Sequence, residues 1–112
     1  MLANMDKFLL SWDTVSKRHR RVNVELLEDS DEQVTLDWID ATPRGEGYGA
    51  NALRDLTRLA TKYKIKILLY PYSDEGLEGI NKLKRYYLNL GFSDTGKREV
   101  TWLPSAVKER SI

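Results

Sequence analysis

One short glycine-dense segment constrains this 112-residue chain more than any other feature. Arg44-Gly45-Glu46-Gly47-Tyr48-Gly49-Ala50 stands between an alternating run closed by Pro43 and a stretch of helical periodicity. Amides at a helix start have no intrahelical acceptor, and the helix dipole adds about half a positive charge there. Glycines let several amides converge and let an anion come close. The segment therefore reads either as a diphosphate cradle or as a tight strand-to-helix turn that needs positive φ angles.

The flanking patterns place that segment in a fold. Val22, Val24 and Leu26 alternate with Arg21, Asn23 and Glu25, the period of a half-buried strand. Val34, Leu36 and Trp38 alternate in the same way, and the acidic run Glu28 to Glu32 joins the two as an antiparallel hairpin. Pro43 has no amide to give a ladder, so the second strand ends before it. After the glycines, Ala52, Leu53, Leu56, Leu59, Ala60 and Tyr63 form one face of a helix, with Arg54, Asp55, Arg58 and Lys62 on its wet side. The run from Ile65 to Tyr70 is apolar almost throughout and predicts an interior strand covered on both faces, stopped by Pro71.

A second amphipathic helix is expected from about Leu77 to Leu90, with Leu77, Ile80, Leu83, Tyr87 and Leu90 inward and Gly91 at its left-handed end. Arg98 to Leu103 predicts a final strand, and residues 105–112 a loose tail. Phe8 to Val15 suits a strand or the end of a short helix. Lys17 to Arg21 is a basic run, either a solvated turn or strand edge or a contact for phosphate or an acidic substrate. Strand–helix–strand in the middle implies a parallel pair, and the hairpin adds antiparallel strands to it. The expected fold class is α/β (α+β): one domain over residues 1–112, with a mixed, mostly antiparallel central sheet around a parallel strand–helix–strand unit.

Composition removes several chemistries. There are 18 Lys and Arg against 17 Asp and Glu, a formal net charge of +1, so no global field favours nucleic acid or anionic membrane. The absence of cysteine rules out disulfides, Cys-ligated metal and a cysteinyl acyl-enzyme. The lone His19 argues against a histidine metal site, so no metal is expected. No apolar stretch nears the ~20 residues of a membrane span. Residues 1–6 do not open a signal peptide, and the expected location is cytoplasmic.

Two nucleotide motifs compete for the glycines. Gly45-x-Gly47-x-x-Ala50 matches the dinucleotide fingerprint in letters. The acidic residue that should close the following strand is missing, because that strand ends Leu69-Tyr70-Pro71. No Lys-Ser/Thr follows the glycines, which excludes a P-loop. The other motif is Arg44-x-x-Gly47-x-Gly49, followed by a helix, a strand and a second helix ending Tyr87-Leu88-Asn89-Leu90-Gly91-Phe92.

This ordered pair of signatures, over about Val22 to Leu103, resembles the GNAT (Gcn5-related N-acetyltransferase) superfamily in a short form with a reduced N-terminal region. The resemblance implies a GNAT-like fold and direct transfer of acetyl from acetyl-CoA to an amine, the acceptor being a small molecule or a peptide or protein amine. It implies that the amides of Gly45, Glu46, Gly47, Tyr48, Gly49 and Ala50, following Arg44, hold the coenzyme A diphosphate. Ile39, Asp40 and Ala41 would pair with the pantetheine arm like an extra strand. Splaying of that strand from Ile65–Tyr70 would open the slot, and Tyr87 would sit near the thioester sulfur as the acid. The same position also suits a packed core aromatic.

The family often has a basic residue where Glu46 stands, and one or two helices where only about twenty residues precede Val22. The acceptor site is therefore expected to be open or to be completed by a partner subunit, and a homodimer is one expectation. Asp37, Asp40, Glu25 and Glu75 are the carboxylates within reach of a general-base role. A non-catalytic acyl-CoA-binding or interaction module that kept the fold is the competing reading. A nucleic-acid factor using Lys17 to Arg21 fits the neutral charge balance poorly.

Overall fold

The computed structural model describes residues 2–43 and 45–104. Arg44 and the expected tail at 105–112 lie outside the described residues. Helix α1 (Asn4–Ser16) is followed by β1 (Val22–Ser30), β2 (Gln33–Ala41), α2 (Tyr48–Tyr63), β3 (Lys66–Leu69), α3 (Gly76–Asn89), β4 (Ser93–Asp94) and β5 (Val100–Trp102). The strands form one sheet in the order β1-β2-β3-β5-β4. β2 and β3 pair in parallel, and the other three pairs are antiparallel. The result is a mixed α/β fold with a mostly antiparallel five-stranded sheet; the periodicities predict the mixed, mostly antiparallel sheet but not its short edge strand β4.

Helix α1 replaces the strand-or-short-helix alternative at Phe8 to Val15 with three full turns. Met5, Phe8 and Trp12 recur at helical spacing and are buried, so α1 closes the core rather than leading into it. It packs on α2, and α2 in turn lies across β1, β2 and β3. Ala52, Leu53, Leu56 and Ala60 of α2 are buried, while Leu59 and Tyr63 are half-buried at the margin of the core.

Three packing expectations are corrected. Trp38 does not share the buried face of Val34 and Leu36 but is 53% exposed. The register explains it: Leu26 faces Leu36 and Glu25 faces Trp38, which leaves Asp37 as an extra residue in β2. This β-bulge reverses the side-chain alternation beyond it, so Ile39 packs on the core in place of Trp38. β3 is not covered on both faces: Ile67 and Leu69 are buried, Leu68 is half-buried and Lys66 is exposed. Among the strands, α3 packs chiefly on β5. Leu77 is exposed at 73%, because burial in α3 begins one turn in, at Gly79, where a Cβ would collide with Ser73.

The C-terminal end of α3 is fixed by aromatic packing. Gly91 has φ +111, and a Cβ there would meet the Trp102 ring at 2.9 Å. The Phe92 amide donates to the Tyr87 carbonyl, and the Phe92 ring packs edge-on between Tyr87 (5.9 Å) and Trp102 (5.5 Å). Trp102 Nε1 donates to Thr61 Oγ1 at 2.9 Å, tying β5 to the C-terminal half of α2. No helix among the described residues is long and apolar enough to cross a membrane.

Candidate functional site

The glycine loop folds as its composition requires. Gly45 and Gly47 have φ +82 and +83, the region that a Cβ disfavours. Gly47 is the N-cap of α2, and no side chain caps the helix. The first helical bond runs from the Asn51 amide to the Gly47 carbonyl, so the amides of Tyr48, Gly49 and Ala50 come before any helical acceptor. A Cβ added at Gly45 or Gly47 would meet nothing within 4 Å, so the loop is open on that side. Gly49 differs: its added Cβ would rest 3.8 Å from that of Ala41, an ordinary contact. Glu46 is exposed.

The strand leading into the loop is open beside it. β2 pairs with β3 only from Gln33↔Lys66 to Leu36↔Leu69, then runs on to Ala41. Over Trp38 to Ala41 it is laddered to β1 on its other side. The bulge at Asp37 falls where the β2–β3 ladder stops, and a bulge bends the strand that carries it. Ile39, Asp40 and Ala41 thus sit half-buried on the stretch that runs beyond the end of β3 and leads to the glycines.

Tyr87 lies in a different part of the structure, on α3. Its residue is only 7% exposed, with its ring against Tyr86 and Phe92. Its hydroxyl has no hydrogen-bond partner among the described residues, and no buried side-chain polar atom among them lacks one. The oxygen therefore reaches the surface while the ring is packed. Burial pushes the phenol up to about 12, with a smaller contribution from Tyr86. Tyr87 lies four residues before Gly91, about 6 Å of helical rise. Gly91 packs on Trp102, whose partner in β3 is Ile67.

The carboxylates that sequence suggested for a base are scattered. Asp37, Glu25 and Glu75 are exposed, and Asp40 is half-buried with a partner. None is gathered with Tyr87 by a hydrogen bond. No group of His, Asp and Glu among the described residues is arranged to hold a metal ion.

Sequence reading treated the basic run separately from the loop, but the fold brings them together. Arg21 places its guanidinium 5.5 Å over the Tyr48 ring, and its carbonyl accepts from the Thr42 amide. His19 Nε2 lies 2.8 Å from Asp55 Oδ2 on α2, and its ring stacks near Trp12 of α1. The pairing of His19 with Asp55 crosses 36 positions, which no local pattern can signal.

No protein-family model matches the chain, and no curated protein sequence does. Among solved structures, the crystal structure of the anti-CRISPR protein AcrVA5 is similar, with a TM-score of 0.56 over 70% of this chain and 86% of that one. The two share 21% sequence identity, so the likeness is one of fold.

Proposed function

We propose that this chain is a GNAT-like N-acetyltransferase that moves acetyl from acetyl-CoA to an amine in a ternary complex. The observation that carries the reading is the adjacency of two features: a helix start capped by a left-handed glycine, and the β2 stretch that runs on beyond the end of β3 just before it. A diphosphate on the amides of Tyr48 to Ala50 leads a pantetheine arm along Ile39 to Ala41, where an amide-bearing chain pairs like a strand.

The chemistry asks little more of the protein. The amine, of ordinary pKa ~10.4, loses a proton to water and attacks the thioester carbonyl. The N–C bond forms, the C–S bond breaks and the electron pair leaves with sulfur. The departing thiolate, of ordinary pKa ~8.5, meets the Tyr87 hydroxyl. Full proton transfer from a phenol at about 12 is uphill by roughly 5 kcal/mol. Tyr87 therefore acts chiefly as a hydrogen-bond donor to the sulfur.

A second reading, a coenzyme-binding module without turnover, is favoured by the scattered carboxylates. Acetyl-CoA is tested first for a rise in melting temperature, then for release of free thiol with a panel of amines. Stabilisation with thiol release supports the transferase, and stabilisation without it across the panel supports the module. No stabilisation at millimolar acetyl-CoA rejects both.

Glu46 places an exposed carboxylate in the cradle loop. Glu46→Gln is expected to tighten coenzyme A binding about threefold at low salt, with the gain shrinking towards physiological ionic strength. Calorimetric titration at two salt concentrations checks it.

A further inference from the structure

The connection between α1 and β1 borders a cleft of ≈ 360 Å³ that the proposed mechanism does not use. Arg18, Arg20 and Arg21 line it from one side, Tyr48 and Asn51 of the first turn of α2 from the other. All three arginines are exposed, and none has a carboxylate partner among the described residues. Asp55, the acid that reaches this connection, is held by His19 and by Arg58 at 3.5 Å. Three arginines without a carboxylate partner among the described residues therefore border one cleft.

The connection is anchored at several points. The stacking of His19 near Trp12, the His19–Asp55 contact, the Arg21–Tyr48 stack and the Thr42 amide on the Arg21 carbonyl hold its backbone against α2. A site whose backbone is already ordered loses less entropy on binding.

Tyr48 belongs to both features, since its amide is in the cradle and its side lines the cleft. We propose that this cleft is a second phosphate site, in which Arg18 and Arg20, with Arg21 stacked on Tyr48, hold the 3′-phosphate of coenzyme A. This rests on the cradle holding the diphosphate of the same molecule. The coenzyme carries a ribose with a 3′-phosphomonoester beyond its diphosphate, and the cleft is the cationic surface next to the cradle. A phosphomonoester is close to a dianion at pH 7, and the guanidinium fork matches its oxygens in pairs.

The test is calorimetric titration of the full chain with coenzyme A and with 3′-dephospho-coenzyme A, in the wild type and in Arg18→Ala/Arg20→Ala. Both residues are exposed and unpaired among the described residues, so the variant should melt with the wild type; Arg21 is left in place because it packs on Tyr48. The wild type is expected to bind coenzyme A about tenfold more tightly than the dephospho form, in keeping with two partly screened charge pairs. The variant should lose that preference and bind the dephospho form within twofold of the wild type.

Equal wild-type affinities would overturn the second site and leave the cradle standing. Binding of neither ligand would overturn the cradle, and the second site with it. Equal weakening of both ligands in the variant would show a general field rather than a site. A DNA duplex that binds more tightly than coenzyme A and is lost in the variant would assign the arginines to nucleic acid instead.

Discussion

Gly47→Val is expected to weaken coenzyme A binding more than a hundredfold in a protein that still folds. Gly47 is the N-cap of α2 at φ +83 and ψ 2, and a β-branched residue is strongly disfavoured there. The valine would force the loop out of the left-handed region, and the amides of Tyr48, Gly49 and Ala50 would no longer converge. Several charge-assisted hydrogen bonds of ~1.5–3 kcal/mol each are at stake, which is why the loss is large. The core is untouched, since the added Cβ meets nothing within 4 Å. Gly49→Ala is the matched control. Gly49 needs no positive φ, and its Cβ would make only a 3.8 Å contact with Ala41, so binding should persist. Titration calorimetry beside a thermal melt reads both variants. Unchanged affinity in a folded Gly47→Val protein would remove the cradle.

Tyr87→Phe is expected to lower turnover about a hundredfold while coenzyme A affinity stays within twofold. The substitution keeps the ring that packs on Phe92 and removes only an oxygen that bonds to nothing among the described residues. The effect sits at the low end for a lost proton donor because burial makes the phenol a weak acid. The same burial gives a second readout that needs no substrate. The unfolded chain releases this proton near its ordinary 10, the folded chain near about 12. Above pH ~10 the unfolded state therefore binds fewer protons, and stability falls as pH rises until about 12. The wild type should lose roughly 2 kcal/mol more than the Phe variant across that window. Denaturant melts of both proteins at pH 9 and 11.5 measure the difference. Full turnover in the Phe variant, with chemistry limiting, would remove Tyr87 from the mechanism.

Much of the architecture was legible because most elements obey one local period each. The hairpin, α2, β3, α3 and the last strand sit where alternation or helical spacing puts them, and Gly91 ends α3 as a left-handed glycine should. The glycine loop was legible for the same reason, since positive φ at Gly45 and Gly47 is a local demand. Helix α1 had a usable signal in Met5, Phe8 and Trp12, but the shorter window from Phe8 to Val15 hid it. What stayed illegible depends on partners distant in sequence. The place of Trp38 depends on the register with β1, and the exposure of Leu77 on how α3 meets the sheet. The joining of the arginines to α2 depends on Asp55 and Tyr48.

Asp37 is the one residue of β2 without an opposite number on β1. A chain lacking it would keep Leu36 and Ile39 facing inward and would regain an unbroken alternation through Ala41, so the core would lose nothing. The strand would lose the bend that a bulge imposes, just where its ladder with β3 ends and the path to the glycines begins. Deleting Asp37 therefore separates the two roles of the strand: the core and the melting temperature should survive it, and coenzyme A titration of the same variant reads whether the bend matters to the proposed site.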